Sequence, residues 1–197
     1  MLAAVWLVVV LTGSLLMAQY SQTAGAAGEA PVQWPAASVV LRDSTRAQLV
    51  MFLHPRCPCS RASISELEQI VAHCQGKFSA QVLFIQPEGV AEDWVKTDLW
   101  HAAAAIPGVK VGIDYEGQEA RRFQAITSGQ TLLYAAAGGL MFQGGITLAR
   151  GHAGDNPGRD AIESLLNQTT THSLSTPVFG CALGWNTTPE KCSACQP

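Results

Sequence analysis

The sequence predicts a layered α/β domain with a mixed sheet, and three observations point to it. Short apolar runs at 48–53, 81–85 and 109–113 alternate with stretches of helical periodicity. Continuous apolar runs of that length suit strands buried on both faces. Two further strand-like runs, 131–135 and 140–143, flank Gly138-Gly139. That is a hairpin signal, and a terminal hairpin makes the sheet mixed. The chain has 197 residues, 48% of them hydrophobic and 14% charged, enough for one domain with a full core. Its net charge of -3 leaves no basic footprint, so nucleic acid is not an expected partner.

The elements follow in order. Residues 37–41 read as a short strand turned by Asp43 and Ser44. Residues 48–53 form the next strand, and 60–75 a helix with Ile64, Leu67, Val71 and Cys74 on one apolar stripe. Gly76 stops that helix. A buried strand at 81–85 ends at Pro87 and Gly89. Residues 91–105 read as one helix, since the alanines at 102–105 favour it strongly and Pro107-Gly108 breaks it. A strand at 109–113 and a short helix at 118–125 precede the hairpin. Asn156 caps a last helix that has Pro157 at its first position and buries Ile162, Leu165 and Leu166.

The N-terminus is apolar from residue 1 to 18. A run of that length lies between a signal peptide and a membrane span, which needs about 20 residues. No Lys or Arg precedes it, so orientation by charge is poorly specified. The expected organisation is a signal peptide or membrane anchor at 1–18, a flexible tether or cleavage region at 19–37, the folded domain at 38–168 and a cysteine-containing tail at 169–197. Six cysteines suit an oxidising compartment or a redox role. The expected location is the periplasm, or the extracytoplasmic face of the inner membrane.

The chemistry centres on His54-Pro55-Arg56-Cys57-Pro58-Cys59-Ser60-Arg61, between a strand and a helix start. A thiolate is the working nucleophile, and its pKa falls at a helix N-terminus and beside cations. Cys57 is therefore the candidate nucleophile and Cys59 the nearest resolving thiol. His54, Arg56 and Arg61 are candidates for tuning the thiolate, with His54 alternatively a solvated loop residue. Ser60 or Ser63 caps the helix, and Ser63 with Glu66 has capping-box spacing. A disulfide between Cys57 and Cys59 closes a very small, strained ring that is easily reduced. Cys74 lies on the apolar helix face and reads as an inert core thiol. Cys181, Cys192 and Cys195 form either a structural staple of the tail or a second dithiol that exchanges with the first. Arg150, His152 and Asp155 sit in a Gly-rich loop and either line the active-site side or solvate a turn.

The chain resembles the thioredoxin-like superfamily, and within it the membrane-tethered periplasmic thiol-disulfide proteins. The likeness covers about 38–166: the strand 49–57 leading to the first cysteine, the approach 123–134 to the penultimate strand, and the hairpin at 138–145. Gly144-Gly145-Ile146-Thr147, Arg150-Gly151-His152, Gly154-Asp155-Asn156 and Pro177-Val178-Phe179-Gly180-Cys181 look more narrowly like the RedB-like group. The resemblance implies a thioredoxin-like fold and disulfide exchange. Two features depart from it. The second cysteine position of the usual motif is Ser60, with Cys59 one place early. Gln130 stands where the superfamily's cis-proline precedes the penultimate strand; in the superfamily that proline packs against the cysteines and helps place substrate backbone.

The expected partners are protein thiols or disulfides, a membrane reductase or oxidase among them, and the membrane itself if the first segment is an anchor. No cofactor is expected. Two other classes stay open: His54, Cys57 and Cys59 holding a soft ion such as Cu(I), which thiolates favour, or a binding module that keeps the fold without catalysis.

Overall fold

A computed structural model describes residues 1–170 and 174–184. Five strands form one sheet in the order β3-β2-β1-β4-β5. They are β1 (Ala47–Leu53), β2 (Phe78–Gln86), β3 (Val109–Tyr115), β4 (Gln130–Tyr134) and β5 (Leu140–Gly144). The first three run parallel, whereas β4 is antiparallel to β1 and β5 to β4. The expected hairpin is the β4–β5 pair.

The period-2 geometry of β1 divides the core. Leu49, Met51 and Leu53 face α2 (Ser60–His73), α3 (Asp98–Ala104) and α5 (Pro157–Leu166). Val50 and Phe52 face Phe123, Tyr134 and Ala120, the last on α4 (Gln118–Arg122). On α2 the buried stripe is Ile64, Leu67, Ile70 and Cys74, with Val71 only partly covered. Asn156 caps α5 as expected, its Oδ1 accepting from the Arg159 amide at 2.8 Å.

Three elements differ from expectation. Residues 37–41 are irregular, because their polar groups are satisfied by a side chain instead of a ladder. The Ser38 hydroxyl and the Val39 amide both donate to the buried Glu119 carboxylate. The stretch 91–105 is not one helix but a 3₁₀ turn at Glu92–Trp94 followed by α3. Thr97 breaks it: its backbone is extended, and its hydroxyl donates to the Pro55 carbonyl at 2.9 Å. The capping box of α2 does not form, and Cys59 is the cap residue with no side-chain bond. Glu66 instead accepts from the Gly154 amide, Asn156 Nδ2 and Arg159, which fastens α2 to the start of α5.

The N-terminal helix α1 (Leu2–Gln22) has no buried residue. Its length and composition suffice to cross a membrane, a test that a signal sequence also passes. It extends past the expected boundary at 18. The segment behind it is no free tether. Trp34 packs edge-on against Phe123 at 5.0 Å and Tyr134 at 5.3 Å. The Tyr134 hydroxyl donates to the Pro31 carbonyl at 2.9 Å. Small residues let the backbone lie this close: a Cβ on Gly28 would stand 1.7 Å from the Gln124 carbonyl oxygen.

Candidate active site

Cys57 lies in the turn that links the end of β1 to α2. Its amide donates to the His54 carbonyl at 3.1 Å, and its carbonyl accepts from the Ser60 amide at 3.0 Å. The side chain is buried, only 1% exposed, at the mouth of the central strand. The neighbouring Cys59 thiol hydrogen-bonds to it, and so does Cys181, which is 124 residues away in sequence. The Cys57 and Cys181 sulfurs are 3.0 Å apart. The Cys181 amide also points at Cys57 Sγ, at 3.4 Å.

These donors make Cys57 acidic. Its pKa falls from 9.0 to about 5, first through the Cys181 thiol, which donates when Cys57 is ionised, against the opposing effect of burial. The Cys181 amide, the Ser60 hydroxyl and the Cys59 amide add to the lowering. The Ser60 and Ser128 hydroxyls lie 2.8 Å apart, and Ser128 Oγ accepts from the His54 amide at 2.8 Å. With the Ser128 hydroxyl as donor to Ser60, a relay runs from the His54 amide through both serines to the Cys57 sulfur. Each link is polarised in the same sense.

Cys59 is 8% exposed, and its thiol pKa is pushed up, first by burial and then by the neighbouring Cys57 charge. The Arg150 guanidinium offsets part of that rise by charge and by a hydrogen bond. Cys57 and Cys59 therefore titrate in opposite directions: one is a thiolate at neutral pH and the other a thiol.

The cationic neighbours named from sequence act elsewhere. Arg56 stacks over Trp94 at 4.8 Å, and Arg61 pairs with Asp98 on the surface. The contacts that lower the Cys57 pKa come instead from Cys181, Ser60 and the Cys59 amide. His54 is not a solvated loop residue, being 5% exposed and edge-on to Trp94 at 5.5 Å. Its Nδ1 accepts from the Arg56 amide at 3.2 Å. Burial lowers its pKa, so the ring is neutral, and the Cys57 charge opposes that shift.

Of the Gly-rich loop, Arg150 alone reaches the site. His152 is exposed against the Arg150 carbonyl, and Asp155 pairs with Arg159 in solvent. Cys74 is fully buried and its pKa is raised by burial, as a core thiol should be. Cys192 and Cys195 lie outside the described residues. Among the described residues no three His, Cys, Asp or Glu side chains are grouped to hold a metal ion.

The tail reaches the site by adding to the segment ahead of β4. Thr127 and Ala182 form an antiparallel bridge. The Ser128 amide donates to the Cys181 carbonyl, and the Leu183 amide to the Ile126 carbonyl, both at 2.8 Å. Gly180 permits the contact, since a Cβ there would meet the Ser128 carbonyl oxygen at 1.9 Å. Arg150 fixes the same strand from the other side by donating to the Gly180 carbonyl. Its amide donates to Ser21, its Nε to Thr23, and its guanidinium lies over the Tyr20 ring. No peptide bond among the described residues is cis. Gln130 closes the loop before β4 with its side chain, Oε1 accepting from the Ile126 amide at 3.1 Å.

No protein-family model and no curated protein matches the chain. Solved structures do. A hypothetical protein from Sinorhizobium meliloti is 20% identical, with a TM-score of 0.59 over 85% of this chain and 100% of its own. A conserved protein from Geobacillus kaustophilus is 14% identical, with a TM-score of 0.59 over 85% of this chain and 94% of its own. The exposed lipoprotein thioredoxin Etrx1 of Streptococcus pneumoniae is 14% identical, with a TM-score of 0.48 over 64% of this chain and 87% of its own. With three parallel strands, an antiparallel pair beside β1 and the cysteine turn at the end of that central strand, the chain has the fold of the thioredoxin-like superfamily.

Proposed function

We propose that the chain is an extracytoplasmic thiol-disulfide oxidoreductase, with the Cys57 thiolate as the attacking group in exchange with protein thiols or disulfides. One observation carries this reading. A cysteine at the mouth of the central strand is held as a thiolate, at a pKa of about 5, in contact with a second thiol of the same chain. Thiolate character sets the rate of exchange, and a second thiol releases a mixed disulfide before it becomes a dead end. Cys59 is the nearest further thiol in sequence. Sulfur alone carries the two electrons: a Cys57 disulfide forms as the partner disulfide is reduced, or the reverse.

The location rests on α1, an apolar helix with no buried face that either anchors the chain or exports it. The narrower likeness to the RedB-like group rests on the sequence motifs alone. The test is reduction of insulin by dithiothreitol in the presence of the full chain. The wild type accelerates it, and Cys57→Ser lowers the acceleration at least a hundredfold. A Cys57→Ser variant that keeps its turnover would overturn the reading.

A further inference from the structure

We propose that Cys181 is the resolving thiol of Cys57 and the sulfur through which partners enter, with a Cys57–Cys181 disulfide as the oxidised form of the site. The proposal rests on the reading of Cys57 as the reactive thiolate and moves the contact with the partner from Cys57 to the tail.

Four observations carry it. The sulfurs of Cys57 and Cys181 are already in contact, and the Cys181 amide points at the same sulfur. The tail strand is built for its place: two backbone hydrogen bonds to Ile126 and Ser128, the Arg150 clamp on Gly180, and a glycine where no side chain fits. Access differs between the two thiols, for Cys57 is 1% exposed whereas Cys181 is only half-buried. Finally, Cys59 is held as a thiol beside a charged neighbour, its pKa raised first by burial, which makes it a weak nucleophile at neutral pH.

The exchange balances as follows. In the oxidised form a partner thiolate attacks Cys181 Sγ. The Cys57–Cys181 bond breaks, and its electron pair leaves on Cys57, which remains a thiolate among its other donors: the Cys181 and Cys59 amides and the Ser60 hydroxyl. A thiol of low pKa is the better leaving group. The partner's second thiolate then attacks the partner sulfur of the mixed disulfide. Cys181 leaves and takes a proton. The partner departs with one new disulfide, and the chain holds the two electrons as Cys57 thiolate and Cys181 thiol. Run backwards, Cys181 attacks a partner disulfide and Cys57 resolves the product by attacking Cys181.

The experiment uses the full chain in detergent, oxidised glutathione as the probe, acid quenching and peptide mapping by mass spectrometry. The wild type and Cys59→Ser should both yield the peptide pair linked through Cys57 and Cys181. Cys57→Ser should collect glutathione on Cys181. In the insulin assay Cys181→Ser and Cys181→Ala should each lose at least tenfold in rate, with Cys59→Ser within about threefold of wild type. A Cys57–Cys59 link in the wild type, or Cys181 bridged only to Cys192 or Cys195, overturns the proposal but leaves Cys57 as the reactive thiol. Full turnover in both Cys181 variants does the same. A wild type in which Cys57 enters no disulfide overturns this proposal and the oxidoreductase reading together.

Discussion

A cysteine whose pKa is about 5 titrates where few thiols do. In the reduced protein, alkylation of Cys57 should be nearly flat from pH 6 to pH 8 and fall away below pH 5, whereas an ordinary thiol's rate climbs through that whole range. The same shift is a stability statement. Because the folded pKa is depressed, the thiolate's contribution is fully present above 9.0 and is lost as pH falls toward about 5. Thermal melts of reduced wild type and Cys57→Ser should therefore converge at pH 5 and separate as the pH rises. Replacing Ser60 by alanine removes a hydroxyl donor, worth about one pH unit for a bond to a charged group. Its alkylation rate at pH 5 should drop several-fold if Ser60 is the near end of the relay. An unchanged profile would mean that the backbone amides and Cys181 do all the stabilising. Cys57 was legible in the sequence because its signal is local: an apolar strand, a turn, a helix start. In the sequence Cys181 is only one of three tail cysteines with two alternative roles, because no periodicity links residues 124 apart.

The strands show how far pattern reading carries at the level of elements. Each predicted strand from β1 to β5 is present, since continuous apolar runs and a Gly-Gly hairpin have few other folded solutions. The failures share a cause. At 37–41, at Thr97 and at the start of α2, a tertiary hydrogen bond took a backbone group or side chain that local propensity had assigned elsewhere. Glu66 is the instructive case. It was expected to cap its own helix, but it is buried and accepts from the segment that begins α5. Glu66→Ala should take their shared buried carboxylate from Arg159 and Asn156, leaving Arg159 to Asp155 and Asn156 to the Gly154 carbonyl, and cost about 2–4 kcal/mol in denaturant unfolding. Glu66→Gln keeps the shape and should recover part of that loss. Equal stability of alanine and wild type would show that the network contributes nothing net.

At the scale of the molecule, the N-terminal segment, the Arg150 loop and the tail converge on one face of the domain. Composition hid this convergence, for Ala-rich and Gly-rich stretches read as loose chain when their small residues serve close packing. Arg150 is the joint, touching Tyr20, Ser21, Thr23, Gly180 and Cys59. Arg150→Ala should loosen the tail strand, and hydrogen exchange at the Leu183 and Ser128 amides should speed up by an order of magnitude or more with β1 unaffected. The Cys59 thiol should rise further in pKa once the cation is gone. Unaltered exchange at both amides would show that the strand holds without its clamp.

The Arg150 joint also fixes a length. Helix α1 ends at Gln22, and the side chain that grips Tyr20 and Thr23 also holds the carbonyl next to Cys181. Were α1 to lie in a bilayer, these contacts would hold the tail strand that carries Cys181 close to the membrane surface, not at the end of a leash. The domain then has almost no sweep above the surface, and its encounters become two-dimensional: partners embedded in the same membrane meet it by lateral diffusion, and soluble proteins must come down to it. Reconstituted into vesicles, the chain should oxidise or reduce a dithiol peptide anchored in its own bilayer far faster than the same peptide free in solution at matched bulk concentration.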